Sequence, residues 1–314
     1  MSGQAPLSAG DIARVAAVVL IWGLNFVVMK LGLQGLSPML LGALRFSVAA
    51  LPLLVFVRPP RLPMRFLLGY GLAQGVGQFG LLFTALQLGM TAGMASVVMQ
   101  TQAFFTLLLA APLLGERTLP RQWLGLAVAL AGLVAIASAH GQGPGQMTLV
   151  GFVLTLGAAL MWAVSNLVSR VAAAQHGGYD PLGFIVWSSL VPIVPFFALA
   201  AWQDGPAALQ QQLAGLNALG IGAVLYLALL ATLLAYSLWT RLLQRHSPGR
   251  IVPWSLLVPV VGLWAAAAVF GEHPSPLQWL GTGAVLLGLL INQGLLHRML
   301  LRRMAGNASR SSDA

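Results

Sequence analysis

Trp22 stands three residues before Asn25, and Trp162 four before Asn166. Either spacing puts an indole and a carboxamide on one face of a helix. There they form an aromatic wall with an amide that bonds a substrate, or they act as interhelical glue, a common use of Asn in membranes. Tyr70, Gln74 and Gln78 follow a four-residue step, with Gly71, Gly75 and Gly77 between them. That stripe fits a water-lined cavity or close packing against polar neighbours. Gln100 and Gln102 point about 200° apart on a regular helix. The spacing therefore sends Gln100, which shares a face with Ser96 and Phe104, toward a cavity, and Gln102 toward a neighbouring helix, unless the helix is distorted. Pro253, Trp254, Ser255 and Pro259 interrupt another apolar run. Proline frees an earlier carbonyl, and broken helices at membrane depth line cavities; the competing role is a simple kink. Tyr236 and Trp239 are expected as packing or interface anchors. Arg45 is a formal charge well inside an apolar run. It is expected either to be anchored by backbone carbonyls within snorkelling reach of the outer surface or to guide a substrate carboxylate.

These residue types bind; they do not react. The chain has no cysteine, which excludes disulfides and thiolate metal sites. His140, His176, His246, His273 and His297 fall at the ends of apolar runs, none at metal-ligand spacing from another. There is no Gly-rich phosphate loop, zincin pattern or Gly-x-Ser-x-Gly elbow. No metal and no organic cofactor is expected, and an intramembrane lipid-modifying enzyme would need clustered reactive groups that the sequence does not offer.

The elements that carry these residues must live in lipid. Hydrophobic residues make up 58% of the 314 and charged residues 7%, against about 25% charged in a soluble domain; the mean hydropathy is +0.86. So little charge cannot cover a water-facing surface. Crossing the hydrocarbon core takes about 20 apolar residues, and such runs recur at 12–32, 38–57, 65–87, 91–114, 120–139, 148–170, 180–201, 218–243, 248–271 and 276–297. Each must be helical because lipid offers no partner to an open backbone, and stretches such as 127–137 lack the alternation of a barrel strand. The first run is not a cleaved signal, since Met1–Gly10 has no basic region and Trp22, Asn25 and Lys30 replace a cleavage site.

The net charge of +10 lies in short clusters between runs rather than in a basic stripe, so nucleic acid is not an expected partner. With the N-terminus inside, fourteen of the sixteen basic residues fall in cytoplasmic ends and loops; Lys30 lies at the outer end of the first run and Arg45 within the second. This positive-inside bias puts both termini in the cytoplasm of a multi-pass protein of the bacterial inner membrane.

Two segments repeat. Gly115-Glu-Arg-Thr-Leu-Pro-Arg-Gln-Trp-Leu-Gly125 returns as Gly271-Glu-His-Pro-Ser-Pro-Leu-Gln-Trp-Leu-Gly281, an offset of 156. The same register pairs Tyr70 with Tyr226; at an offset of 140, Trp22 pairs with Trp162, Lys30 with Arg170 and Pro52 with Pro192, a longer linker near 202–218 making up the difference. The expected organisation is a cytoplasmic N-terminus (1–11), a five-helix repeat (12–139), a linker (140–147), a second five-helix repeat (148–297) and a basic, solvated, disordered cytoplasmic tail (298–314). An odd number of spans per unit inverts the second, the arrangement of many secondary transporters. Pro120 and Pro276 suit the first turn of a helix, Ser275 with Gln278 forms a capping-box pattern, and Glu116 and Glu272 are expected to bond amides at the start of the helix that follows each.

Two such repeats, each with Gly-Glu before a Pro-x-Gln-Trp-Leu-Gly start, resemble the EamA branch of the drug/metabolite transporter superfamily. The resemblance covers 12–297 and includes Trp22-Gly-Leu-Asn-Phe-Val-Val, Leu44-Arg-Phe, Gln100-Thr-Gln-Ala-Phe-Phe-Thr and Ser255-Leu-Leu-Val-Pro-Val-Val-Gly262. Within that branch it is similar to bacterial exporters of amino-acid metabolites of the O-acetylserine and cysteine type. It implies a central cavity between the halves, a small-molecule substrate and export by alternating access. An exporter of drugs, dyes or nucleobases is the alternative on the same fold. An uncharged, amide-rich lining suits a small zwitterion. All six carboxylates lie near ends or in loops, which leans toward facilitated export or exchange rather than proton coupling.

Overall fold

The structure, a computed structural model, describes residues 7–116, 118–141, 146–246 and 248–294. The tail expected at 298–314 lies outside them. In chain order the apolar helices are α1 (Ala9–Gly32), α2 (Pro38–Leu53), α3 (Met64–Gln87), α4 (Ala92–Leu114), α5 (Pro120–Ser138), α6 (Leu149–His176), α7 (Pro181–Asp204), α8 (Ala218–Leu243), α9 (Val252–Phe270) and α10 (Pro276–Asn292). Eight are long and apolar enough to cross a membrane; α2 and α10 are shorter. The 17 residues of α10 span roughly 26 Å at about 1.5 Å per residue. No strand occurs among the described residues. The protein is an all-helical membrane protein.

Helix starts follow local chemistry. Ser8, Ser37, Thr91, Thr148, Asp180 and Asn217 each cap a helix by accepting a backbone N–H with the side chain. The capping box at Ser275 forms: its amide donates to Gln278 Oε1 at 2.9 Å, and its hydroxyl accepts the Gln278 amide at 3.2 Å. The linker expected near 202–218 contains a short helix, Pro206–Ala214, whose Gln212 accepts the Ser37 amide at 2.8 Å.

Several helices are irregular. Residues 71–79 of α3 and 226–234 of α8 are π-helical, whereas such turns are rare and mostly single. Residues 99–101 of α4 and 252–257 of α9 are wound as 3₁₀ turns. Helix α2 also ends in a 3₁₀ turn, at 51–53.

The chain divides into two compact units. The larger comprises 1–109 and 140–273; Met29, Leu40, Leu41, Phe83, Met94 and Phe196 are fully buried in it. Helices α1 and α9 approach closely there, since a Cβ on Gly23 would meet Val261 at 2.5 Å. The smaller comprises 110–139 and 274–314 and contains α5 packed on α10. In it a Cβ on Gly125 would meet the Gly288 carbonyl at 2.5 Å, and one on Gly132 the Gly281 carbonyl at 2.6 Å. Glycine there lets the two backbones touch, as small residues do between helices in lipid.

Candidate functional site

A cavity of about 340 Å³ lies inside the larger unit, walled by α1, α2, α3, α4, α6, α8 and α9. It brings together Trp22, Asn25, Gln78, Gln100, Trp162, Asn166 and Ser255, with Arg45 and Gln102. Two expected members are elsewhere. Gln74 borders a separate void of about 20 Å³ and donates to the Tyr236 hydroxyl at 2.7 Å. Trp254 is half-buried and is not part of the cavity lining.

The irregular turns account for the lining. A 3₁₀ turn at 99–101 rotates α4 between the two glutamines, so both Gln100 and Gln102 face the cavity. On a regular helix they could not. Gln100 donates to the Ser255 carbonyl at 3.3 Å, within the 3₁₀ segment that contains Pro253 and precedes Pro259. Gln102 accepts from the Asn166 amide at 2.8 Å, bonding its neighbour as expected while also lining the space. Within the π segment of α3, Gln78 is on the wall and Gln74 is not; Tyr70, just before the segment, borders both the cavity and the smaller void.

The aromatic wall is wider than the two tryptophans. Trp22 meets Tyr236 edge-on at 5.1 Å and Trp239 at 5.3 Å, and its indole donates to the Ala231 carbonyl at 3.3 Å. Tyr236 and Trp239 both line the cavity instead of only packing or anchoring at the interface. Their position follows a π segment, so no 3.6-residue period would have found them. A tyrosine and a tryptophan three residues apart on a polar-flanked helix end were the available signal.

Arg45 is not held by backbone carbonyls, nor does it snorkel. It is 1% exposed. Its Nε and Nη2 both donate to Thr232 Oγ1, at 3.1 and 2.9 Å, and its guanidinium lies 3.8 Å over the Phe79 ring. The hydroxyl is oriented to accept because its own proton goes to the Leu227 carbonyl at 2.8 Å, five residues back in the π segment. Three buried polar atoms on cavity residues have no hydrogen-bond partner among the described residues: Asn25 Oδ1, Arg45 Nη1 and Gln78 Oε1.

One end of the same unit is tied by charge. Lys30, at the end of α1, donates to Glu272 at 2.7 Å. Glu272 also accepts the Ala92 and Gly93 amides, at 3.0 and 2.9 Å. These amides open α4, so the carboxylate meets the positive end of that helix and not the start of the helix that follows it, as the sequence predicts. Glu116, in the smaller unit, is exposed. At the other end of α1, Asp11 bonds Arg14 at 2.8 Å and His246 at 3.1 Å. Tyr179, between α6 and α7, bonds the cavity residue Ser169 at 2.6 Å. Burial pushes its phenol above the ordinary range, and that bond opposes the rise. No group of three or more His, Asp or Glu residues suited to a metal occurs among the described residues.

Comparison with known proteins gives the site a context. The description "EamA-like transporter family" matches residues 11–138 and again 149–293. A protein of Escherichia coli (strain K12) named "Probable amino-acid metabolite efflux pump" is 41% identical over 288 residues, covering 91% of this chain and 95% of the relative. One of the same name from Salmonella typhimurium is 42% identical over the same shares. A "Probable terminal-alkyne amino-acid exporter" of Streptantibioticus cattleyicolor is 30% identical, covering 97% of this chain and 99% of that protein. One crystal structure aligns with a TM-score of 0.60 at 20% identity over 93% of this chain and 99% of its own, which marks a shared fold.

Proposed function

This chain belongs to the EamA-like transporter family, and from that premise we propose that it exports small amino-acid-like metabolites, of the O-acetylserine and cysteine type, across the bacterial inner membrane. The observation that carries the substrate class is the cavity lining. At about 340 Å³ it falls at the small end of the roughly 300–1,000 Å³ typical of ligand sites. Its polar groups are amides and hydroxyls in equal number, set among indoles, with the guanidinium of Arg45. Such a wall hydrogen-bonds a zwitterion with a short polar side chain, and it lacks the cluster of cations that a multiply charged phosphate needs. The relatives named as amino-acid exporters support the same class.

Ten spans arranged as two inverted five-helix repeats, 12–139 and 148–297, complete the reading, with both termini cytoplasmic. The two stretches matched by one family description support it. So does the spacing of the irregular segments, with π segments starting at Gly71 and Tyr226 and 3₁₀ turns at 99–101 and 252–257. In this topology the Lys30–Glu272 tie closes the outer end, and its rupture accompanies opening in an alternating-access cycle. Alkaline phosphatase activity from a C-terminal fusion would overturn the orientation.

The substrate test is efflux from preloaded proteoliposomes, normalised to protein amount, of radiolabelled O-acetylserine, cysteine and other amino acids beside a cationic dye. Movement of the amino acids supports the proposal. Movement of the dye with no amino acid moved would replace it with the drug-exporter alternative. Collapse of efflux by an uncoupler at constant substrate gradient would replace facilitated export or exchange with a proton-coupled cycle.

A further inference from the structure

We propose that Arg45 is the carboxylate-recognising residue of the cavity, and that Asn25 and Gln78 receive the ammonium group of the same ligand. The inference rests on the amino-acid reading above and adds which group of the substrate is read, and by what.

Arg45 is a cation with its charge half-answered. One edge of its guanidinium is fixed by two bonds to Thr232 Oγ1, and one face rests on Phe79. A hydroxyl and a ring orient a guanidinium without neutralising it. No carboxylate pairs with Arg45 among the described residues. Its Nη1 is buried without a partner, on a residue of the cavity wall. A buried cation in this state is costly until an anion reaches it, and Arg takes a carboxylate through paired N–H donors. The remaining orphans have the opposite character. Asn25 Oδ1 and Gln78 Oε1 are acceptors, buried and unpartnered among the described residues, on side chains of the same cavity wall. Donor cation and carbonyl acceptors together make the complement of a zwitterion. The pre-set geometry of Arg45 follows from the π segment of α8, which sends the Thr232 proton to Leu227 and leaves the oxygen free to accept.

The chemical consequence is selection for a free carboxylate. An ester, one methyl larger, or a decarboxylated amine, one carboxyl group smaller, meets an unneutralised guanidinium, and both should be refused although their sizes depart from the acid in opposite directions. Binding to the purified full-length chain is followed by quenching of its tryptophans, three of which (Trp22, Trp162 and Trp239) line the cavity. The probes are O-acetylserine, its methyl ester and O-acetylethanolamine, each also tested as a competitor of efflux. The expected result is that the acid binds roughly 10- to 100-fold more tightly than either neutral-end analogue, the range of a charge-assisted hydrogen bond. In Arg45→Lys, and in Arg45→Met, acid affinity should fall toward that of the ester, so that the ratio collapses. Thr232→Val keeps the cation but releases its edge; it should narrow the ratio and serves if the Arg45 variants fail to accumulate. Equal binding of acid and ester by the wild type would overturn the proposal and leave amino-acid export standing. So would an Arg45 or Thr232 variant that keeps the full ratio. A dye moved with no amino acid moved would remove the export reading and this one with it.

Discussion

Lys30 and Arg45 are both cations on apolar helices of one unit, and they are answered in opposite ways. Lys30 meets Glu272, which is 5% exposed and holds three donors: the ammonium and the amides of Ala92 and Gly93. Arg45, a residue of the cavity wall, meets a hydroxyl and a benzene ring, and its Nη1 is buried without a partner. A satisfied charge holds helices together. An unsatisfied one, kept in place by neutral groups, leaves a vacancy that a ligand can fill. The contrast separates a charge answered within the protein, at Lys30, from one that the proposed ligand would answer, at Arg45.

The largest effect should come from the satisfied side. Glu272→Ala removes the acceptor of all three donors at once and leaves a cation and two amides unpaired. The two backbone amides are buried, and each hydrogen bond to a charged group is worth about 1.5–3 kcal/mol. Folded yield and thermal unfolding of the detergent-solubilised protein should both drop sharply. Unchanged stability in Glu272→Ala would erase the distinction drawn between the two cations.

Arg45→Met should invert that pattern. Arg45 has no ionic partner among the described residues, so its removal strands no opposite charge and removes the cost of burying its own. The loss should appear in ligand affinity, by about 1.5–3 kcal/mol for a bond to a charged group, with yield intact. A destabilised Arg45→Met with normal affinity would make Arg45 a structural group like Glu272. Asn25→Ala and Gln78→Ala come next. Each removes a neutral acceptor that has no protein partner, so stability should hold while affinity falls by about 0.5–1.5 kcal/mol, a few-fold to tenfold. Wild-type efflux in both would discard their place opposite the ammonium group.

The parts of this arrangement readable in the sequence are those that lipid enforces. Ten apolar runs must become helices, and their ends follow caps and prolines, so α1 was expected at 12–32 and spans Ala9–Gly32. The helix Pro206–Ala214 was hidden because Gln210, Gln211 and Gln212 make it polar, with no apolar run to reveal it. Within the cavity, Trp22 with Asn25 and Trp162 with Asn166 were legible because they obey helical spacing. Gln102, Tyr236 and the displacement of Gln74 were not. Each lies in or just after a turn wound as 3₁₀ or π, where a 3.6-residue period no longer gives the facing of a side chain. The partner of Glu272 was missed for a related reason. The nearest helix start in sequence is that of α10, but the start of α4 is the one its carboxylate bonds.

The smallest effect belongs to Lys30→Met, and its smallness is informative. Lys30 and Glu272 share one bond of 2.7 Å, yet their surroundings differ: the lysine side chain is 28% exposed and the carboxylate 5%. Loss of the lysine leaves Glu272 with two backbone N–H donors at the start of α4, an arrangement that favours a carboxylate without further help. Loss of the glutamate leaves those amides with nothing. Removing the partly exposed cation should therefore cost about 0–1 kcal/mol, well below Glu272→Ala, and the methionine still packs against Phe270, over which the ammonium lies at 4.9 Å. Thermal unfolding of both variants side by side gives the comparison. Equal losses would mean that the tie depends on the ion pair as a unit, and that Glu272 is not held chiefly by the helix start. A small loss in Lys30→Met with faster efflux would fit a lysine that latches the closed end without holding the fold, because a weakened latch favours opening while the carboxylate continues to cap α4.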